Sequence, residues 1–206
     1  MGHRFAELAF TDAVRGEQIR DGSRASYARM EGGEPFNDRL GAEEAGFIAD
    51  RDTAFIATVG ATGWPYVQHR GGPRGFIRVA DERTLLLPEV RGNRQFVTIG
   101  NLGRNDRAAL LLIDFARRRR LKILARGRHV AAAEAPDLVA GLAVPGRRAR
   151  IEGALVLSVE AFDWNCPQHI TPRFTAAEIE EATQRLADRV VRLEAALDAA
   201  GVAVPA

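Results

Sequence analysis

Between residues 53 and 162 the chain alternates short apolar runs with turn signals, and this rhythm constrains its fold more than any other feature. Residues 53–59, Thr-Ala-Phe-Ile-Ala-Thr-Val, are apolar on both faces and read as a buried strand. Gly60-Ala61-Thr62-Gly63 is a hairpin turn, and residues 64–70 return as the antiparallel partner. Residues 75–79 and 84–87 predict a second hairpin around Asp81-Glu82-Arg83. Residues 108–115 pair with 121–130 across an arginine-rich turn, and 151–162 add a last long strand. Residues 93–99 predict one short helix, with Phe96, Val97 and Ile99 available for burial. About six antiparallel strands and a short helix point to a small barrel of mainly β (α+β) class, because closure removes exposed sheet edges.

The flanks are helical. Residues 1–40 form an arm in which Thr11 caps a helix to about Arg20 and Gly32-Gly33-Glu34-Pro35 is loop-like. Residues 41–50, with Phe47 and Ile48 and no β-branched run, predict a short helix leading into the first strand. At the other end Thr175 and Glu178 form a capping box. Ile179, Thr183, Leu186, Val190, Leu193 and Leu197 then recur at spacings of four and three until Gly201. Such a stripe fits a helix lying on its own domain or a coiled-coil seam. With 206 residues and 46% hydrophobic content the chain can bury one full core. The expected organisation is one domain: arm 1–40, barrel 41–174 and helix 175–201.

Several functional classes lose support. A formal net charge of +2 gives no mandate for nucleic acid or membranes. No run approaches the roughly 18 apolar residues of a membrane span, and the start Met-Gly-His-Arg-Phe lacks a signal-peptide core, so a cytoplasmic location is expected. His3, His69, His129 and His169 lack zinc-motif pairing, and no metal site is expected. There is no G-x-S-x-G elbow, Walker A loop or Rossmann fingerprint. Cys166 could be a nucleophile near His169, but a lone cysteine is by default inert packing. The basic run Arg117 to Arg120, with Lys122, Arg126 and Arg128, is the rival nucleic-acid reading. It lacks interleaved aromatics for base stacking, and no nucleic-acid partner is expected.

Three segments carry the functional expectation. Gln68-His69-Arg70-Gly71-Gly72 puts polar groups at the end of an apolar strand beside glycines that admit a ligand close to the backbone. Gly92-Asn93-Arg94, read as opening a short helix, would join free N–H groups, an amide and a guanidinium on one anion. Residues 163–173, Asp-Trp-Asn-Cys-Pro-Gln-His-Ile-Thr-Pro-Arg, combine two prolines with stacking and hydrogen-bonding side chains. Trp164 there is also a candidate anchor between barrel and helix.

The order of these segments resembles the pyridoxamine 5'-phosphate oxidase-like, FMN-binding split barrels over about residues 40–175. The resemblance rests on Phe55-Ile56-Ala57-Thr58-Val59, Gly63 to Gly72, Leu85-Leu86-Leu87-Pro88, Gly92-Asn93-Arg94, Ala109 to Phe115 and the string Trp164 to Arg173. It implies a six-stranded antiparallel split β-barrel with flanking helices and a long C-terminal helix. It also implies FMN as cofactor, in a homodimer with a shared flavin site. By the same resemblance the flavin ring runs along Gln68, His69, Arg70 and Gly71, and the phosphate sits at Asn93 and Arg94. Arg120 faces the flavin, and a partner subunit's Trp164, Gln168, His169 and Arg173 close the site. The true oxidases carry a basic residue where Gln68 stands and Ser-Arg-Lys where this chain has Gly92-Asn93-Arg94. Flavin binding is therefore expected and vitamin B6 oxidation is not. A flavin-dependent oxidoreductase acting on a small molecule is the leading expectation. A non-catalytic flavin carrier is the second, and a deazaflavin or haem ligand ranks below both.

Overall fold

The computed structural model describes residues 2–142, 150–164 and 168–202. It divides into two compact units, Met1–Asp114 with Arg119–Pro167, and Phe115–Arg118 with Gln168–Ala206.

The first unit opens with helices α1 (Arg4–Ala9), α2 (Asp12–Asp21) and α3 (Arg24–Ala28). α2 starts where the sequence places it, with Thr11 Oγ1 accepting from the Val14 amide, and stops at Gly22, whose φ of +80° only glycine adopts freely. Helix α4 (Ala42–Ala49) then delivers the chain to the sheet. A single carboxylate fastens it: Glu44 accepts from the Gly41 amide (2.9 Å) and from Trp164 Nε1 (2.9 Å).

Seven strands follow: β1 (Thr53–Val59), β2 (Pro65–Gly71), β3 (Arg78–Asp81), β4 (Thr84–Val90), β5 (Arg107–Asp114), β6 (Arg119–Ala131) and β7 (Ile151–Trp164). Helix α5 (Val97–Leu102) joins β4 to β5, and α6 (Pro136–Ala140) follows β6. All pairings are antiparallel, in the order β2-β1-β5-β6-β7-β4-β3. The expected count of six becomes seven because the short β3 pairs as a strand in its own right. β3 begins at Arg78 rather than near residue 75, yet Phe76 and Ile77 just before it are buried core residues.

β2 and β3 end the ladder, but the sheet curls until β2 approaches β4. Arg70 of β2 meets Glu89 of β4 at 2.8 Å across that gap. This is a barrel closed by side chains, not by backbone pairing, along one seam: a split barrel. Inside it Ile56, Leu110, Leu112, Leu121, Ile123, Leu155, Leu157, Leu85 and Leu87 form the core. Their alternation with half-exposed residues along β5 and β6 is the period of two expected of strands with one face on a core.

At the mouth of β5 a buried ion pair locks α4 to the sheet. Arg51 reaches Asp114 at 2.9 Å with the two side chains 10% and 6% exposed, and donates also to the Phe47 and Ile113 carbonyls.

The second unit contains α7 (Ala176–Ala199). Its capping box is present as predicted: Thr175 Oγ1 accepts from the Glu178 amide (3.2 Å) and Glu178 accepts from the Thr175 amide (2.9 Å). No residue of α7 is buried. In the same unit the Arg173 guanidinium lies 5.1 Å from the centre of the Phe115 ring. Among the described residues no helix is long and apolar enough to cross a membrane.

Candidate functional site

A strand sorts its side chains by parity, and this divides the predicted binding run. Ala54, Ile56 and Thr58 of β1 point into the barrel, and opposite them stand Arg70, Gln68 and Tyr66 of β2. His69, opposite Phe55, lies on the other face, its ring 5.7 Å from that of Phe55. Gln68 and Arg70 therefore share a wall that His69 does not. Gly71 ends the run, and a Cβ there would come within 3.0 Å of His69 Cε1.

Gln68 and Arg70 line a cavity of about 600 Å³, together with Asn93 and Arg94, the residues Gln95 to Ile99, and His129, Arg150 and Glu152 from the far side. This volume lies in the range of pockets that hold drug-sized and cofactor-sized molecules. Both β2 side chains are held from behind. The Thr98 hydroxyl donates to Gln68 Oε1 (2.8 Å), leaving the Gln68 amide N–H groups as the polar atoms to offer a ligand. Glu89 takes one end of the Arg70 guanidinium, while Arg70 Nε is buried without a partner. A buried N–H with no acceptor is costly in a finished protein interior, so a ligand acceptor at this point would be rewarded. Two positions apart on one strand, these donors stand roughly 6.6 Å apart along the wall.

Helix α5 supplies the support. It is pinned to the barrel by Thr98 on Gln68 and by Asn101 Nδ2, which donates to Thr58 Oγ1 (3.0 Å). Its Leu102 packs where β6 has Gly127; a Cβ at that glycine would meet Leu157 at 2.8 Å and Leu102 at 3.1 Å. The expected helix over residues 93–99 is corrected here. The helix begins at Val97, and Gly92, Asn93 and Arg94 lie in the loop before it. Arg94 and Phe96 are left-handed, at φ +59° and +54°, and Asn93 Oδ1 accepts from the Gln95 amide. A residue in that region cannot continue a right-handed helix, so the anion site drawn from a helix N-terminus dissolves. What remains is a loop that brings Asn93 and Arg94 to the cavity by turning the chain.

Of the other predicted residues in the first unit, Arg120 and Trp164 are not among those lining the cavity. Arg120 precedes Leu121, whose side chain is in the core, so parity sends Arg120 to the outer face; its Nε is also buried without a partner. Trp164 is an anchor: its indole donates to Glu44, its ring meets Phe47 edge-on at 4.8 Å, and the Arg119 guanidinium lies 4.3 Å over it. Gln168, His169 and Arg173 belong to the second unit, where His169 is left-handed at φ +66°. Asn165, Cys166 and Pro167 lie outside the described residues. Of the basic run, Arg119 pairs with Glu43 (2.5 Å), Lys122 with Asp163 (2.6 Å), and Arg126 with Asp106 and Glu160 (3.0 Å each). Among the described residues no cluster of three His, Cys, Asp or Glu could hold a metal.

Sequence reasoning missed Glu89, Thr98, His129, Arg150 and Glu152. Two left a signal: Glu89 interrupts the apolar run Leu85-Leu86-Leu87-Pro88, and Thr98 is the polar residue between Val97 and Ile99.

No curated protein matches the chain. Among solved structures, HupZ from Group A Streptococcus is similar at 22% identity and TM-score 0.47, covering 66% of this chain and 99% of that one. A Clostridium acetobutylicum protein related to general stress protein 26, of the pyridoxinephosphate oxidase family, is similar at 15% identity and TM-score 0.45, with 66% and 94% covered. An FMN-binding protein from Syntrophomonas wolfei shows 8% identity and TM-score 0.43, with 72% and 97% covered. The sequence profile of pyridoxamine 5'-phosphate oxidase matches residues 40–162, which cover β1 to β6, all of β7 but its last two residues, and every residue lining the cavity. On that match, across more than half its length, the chain belongs to the pyridoxamine 5'-phosphate oxidase family.

Proposed function

We propose that this protein binds FMN in the cavity beside β2 and uses it as a flavin-dependent oxidoreductase toward a small molecule. The observation that carries the reading is the pair of side chains on β2, Gln68 and Arg70, each held from behind so that N–H groups remain for a ligand. The polar edge of an isoalloxazine ring offers acceptor oxygens and nitrogens to such a wall. Asn93 and Arg94 would take the phosphate as an amide and a guanidinium, without help from a helix end. When bound, the flavin supplies hydride and electron transfer. The chain's own residues orient it and set the charge around it. Arg70 would place positive charge at the ring, and Glu89 would hold Arg70 in position.

The same proposal includes a homodimer in which the partner subunit's Gln168, His169 and Arg173 close the flavin site. Trp164 is left out, because its indole N–H and ring are already engaged with Glu44 and Phe47.

The test is the absorption spectrum of the freshly purified protein, followed by titration with FMN, riboflavin, a deazaflavin and haem. Stoichiometric FMN with quenched fluorescence supports the reading. Saturable binding of haem or deazaflavin with none of FMN overturns it. Bleaching of the bound flavin by NADH or NADPH, with reoxidation by an added acceptor, separates an enzyme from a carrier.

A further inference from the structure

On β6 the inward-facing row runs Leu121, Ile123, Ala125, Gly127 and then His129, so parity turns this imidazole into the barrel where the core gives way to the cavity. The neighbouring strand is cut back to seat it. His129 stands opposite Leu155 of β7, and its ring reaches the diagonal position, Gly153. A Cβ there would lie 2.5 Å from His129 Nε2 and 3.2 Å from Cε1, so only glycine leaves room for the ring. The imidazole is half-buried, and among the described residues neither of its nitrogens has a hydrogen-bond partner. Held in place with both nitrogens unspent, it is a ready ligand contact.

The charges around it indicate the sign of that ligand. Arg70, Arg94 and Arg150 line the cavity against Glu89 and Glu152. Glu89 is taken by Arg70 at 2.8 Å, and Arg91, from outside the lining, approaches Glu152 at 3.7 Å. Among the described residues Arg94 and Arg150 have no carboxylate partner. Arg94 has a task in the flavin reading, with Asn93 at the phosphate, and Arg150 has none. Arg150 precedes Gly153 by three residues, roughly 10 Å of extended chain, which an arginine side chain and one acid group bridge together.

We propose that His129 and Arg150 form a second anion-binding point of the cavity, and that the small molecule acted on is a carboxylic acid whose carboxylate docks there. A guanidinium and an imidazole N–H match the two oxygens of a carboxylate. The second negative charge of a phosphate would be repelled by Glu152 on the same wall. Calling this ligand the substrate rests on the flavin reading, whereas the anion point rests on the chain's own residues.

The test uses benzoate as the probe, with neutral benzamide and phenyl phosphate beside it, on the full chain with and without FMN. In FMN-free protein the imidazole signals of the four histidines are followed by NMR, and His129→Gln assigns that of His129. In FMN-loaded protein the flavin absorbance reports the probe. Benzoate should shift the His129 signal saturably and benzamide should not. His129→Leu and Arg150→Ala should each weaken benzoate by about tenfold or more, and His129→Gln, which keeps an N–H donor, should lie within about threefold of the wild type. An unmoved His129 signal, benzamide binding as well as benzoate, phenyl phosphate binding more tightly than benzoate, or either variant within twofold of the wild type overturns the proposal. So does a His129→Leu variant that loses FMN and keeps benzoate, which would move His129 to the cofactor. A protein that retains no FMN but shows the benzoate shift refutes the flavin reading and keeps the anion point. One that holds FMN and ignores benzoate does the reverse.

Discussion

Replacing Arg70 by alanine separates what the seam does for the fold from what it does for a ligand. The Arg70 and Glu89 side chains are 14% and 17% exposed, so the pair is mostly but not wholly removed from water. Breaking a fully buried pair by deleting one partner costs about 3–5 kcal/mol, and exposed pairs contribute about 0–1. At this exposure Arg70→Ala should cost about 1–2 kcal/mol of stability, mainly because the Glu89 carboxylate is left facing the cavity alone. Adding Glu89→Ala should recover most of that loss. Ligand binding should not recover. If the Arg70 Nε–H donates to FMN, its removal costs about 1.5–3 kcal/mol, or roughly 10–150-fold in affinity, whether or not Glu89 is present. Because the contact is to the ring, riboflavin should weaken as much as FMN. Arg94→Ala should weaken FMN alone, by a similar factor, because its partner is the phosphate. Fluorescence-quenching titrations with both flavins, beside urea unfolding of each variant, read out both effects. Affinities for FMN and riboflavin unchanged within about twofold in Arg70→Ala would refute the β2 wall as the flavin site. A loss confined to FMN would move Arg70 from the ring to the phosphate.

Asp114→Ala should cost about 3–5 kcal/mol in urea unfolding, because it leaves the buried Arg51 cation only the more exposed Asp50 carboxylate at 4.0 Å; a loss below about 1 kcal/mol would show that Asp50 and the two carbonyls bonded to Arg51 suffice. Trp164→Ala should cost about 2–3 kcal/mol, less than a fully buried aromatic, while leaving FMN affinity intact. A selective loss of FMN would return Trp164 to the binding site. His3 is buried in the N-terminal arm, where Asn37 Nδ2 lies 3.0 Å from its Nε2, and burial lowers its pKa from 6.5 although Asp163 at 3.5 Å opposes the shift. Its unfolded form therefore takes up a proton more readily than its folded form. The stability this residue adds is present in full above pH 6.5 and falls as the pH drops from there toward the lowered folded value. His3→Asn should flatten that part of the stability–pH curve, and superimposable curves for the two proteins would contradict the assignment.

The parts of the molecule legible in the sequence are those whose causes lie within a few residues. Gly60 to Gly63 turns the first hairpin because Gly63 reaches φ +84°, and the Gly60 amide donates to the Trp64 carbonyl. Thr11 and the Thr175–Glu178 box start their helices with groups at most three residues away. The order of strands and the family resemblance follow from such local signals repeated along the chain. The site does not, because its partners are distant. Thr98 holds Gln68 across 30 residues and Glu89 holds Arg70 across 19, and both contacts exist only once the sheet has curled and α5 has been seated. The split of Gln68 and Arg70 from His69 and Arg120 follows from which face of each strand meets the core. Arg94 and Phe96 enter left-handed conformations that neither side chain favours, so no local preference announces the loop that replaces the expected helix start. Local backbone chemistry thus determined the elements and their sequence. Closure of the barrel, a balance of burial and long-range pairing that no short segment encodes, decided which polar groups face one another across the cavity.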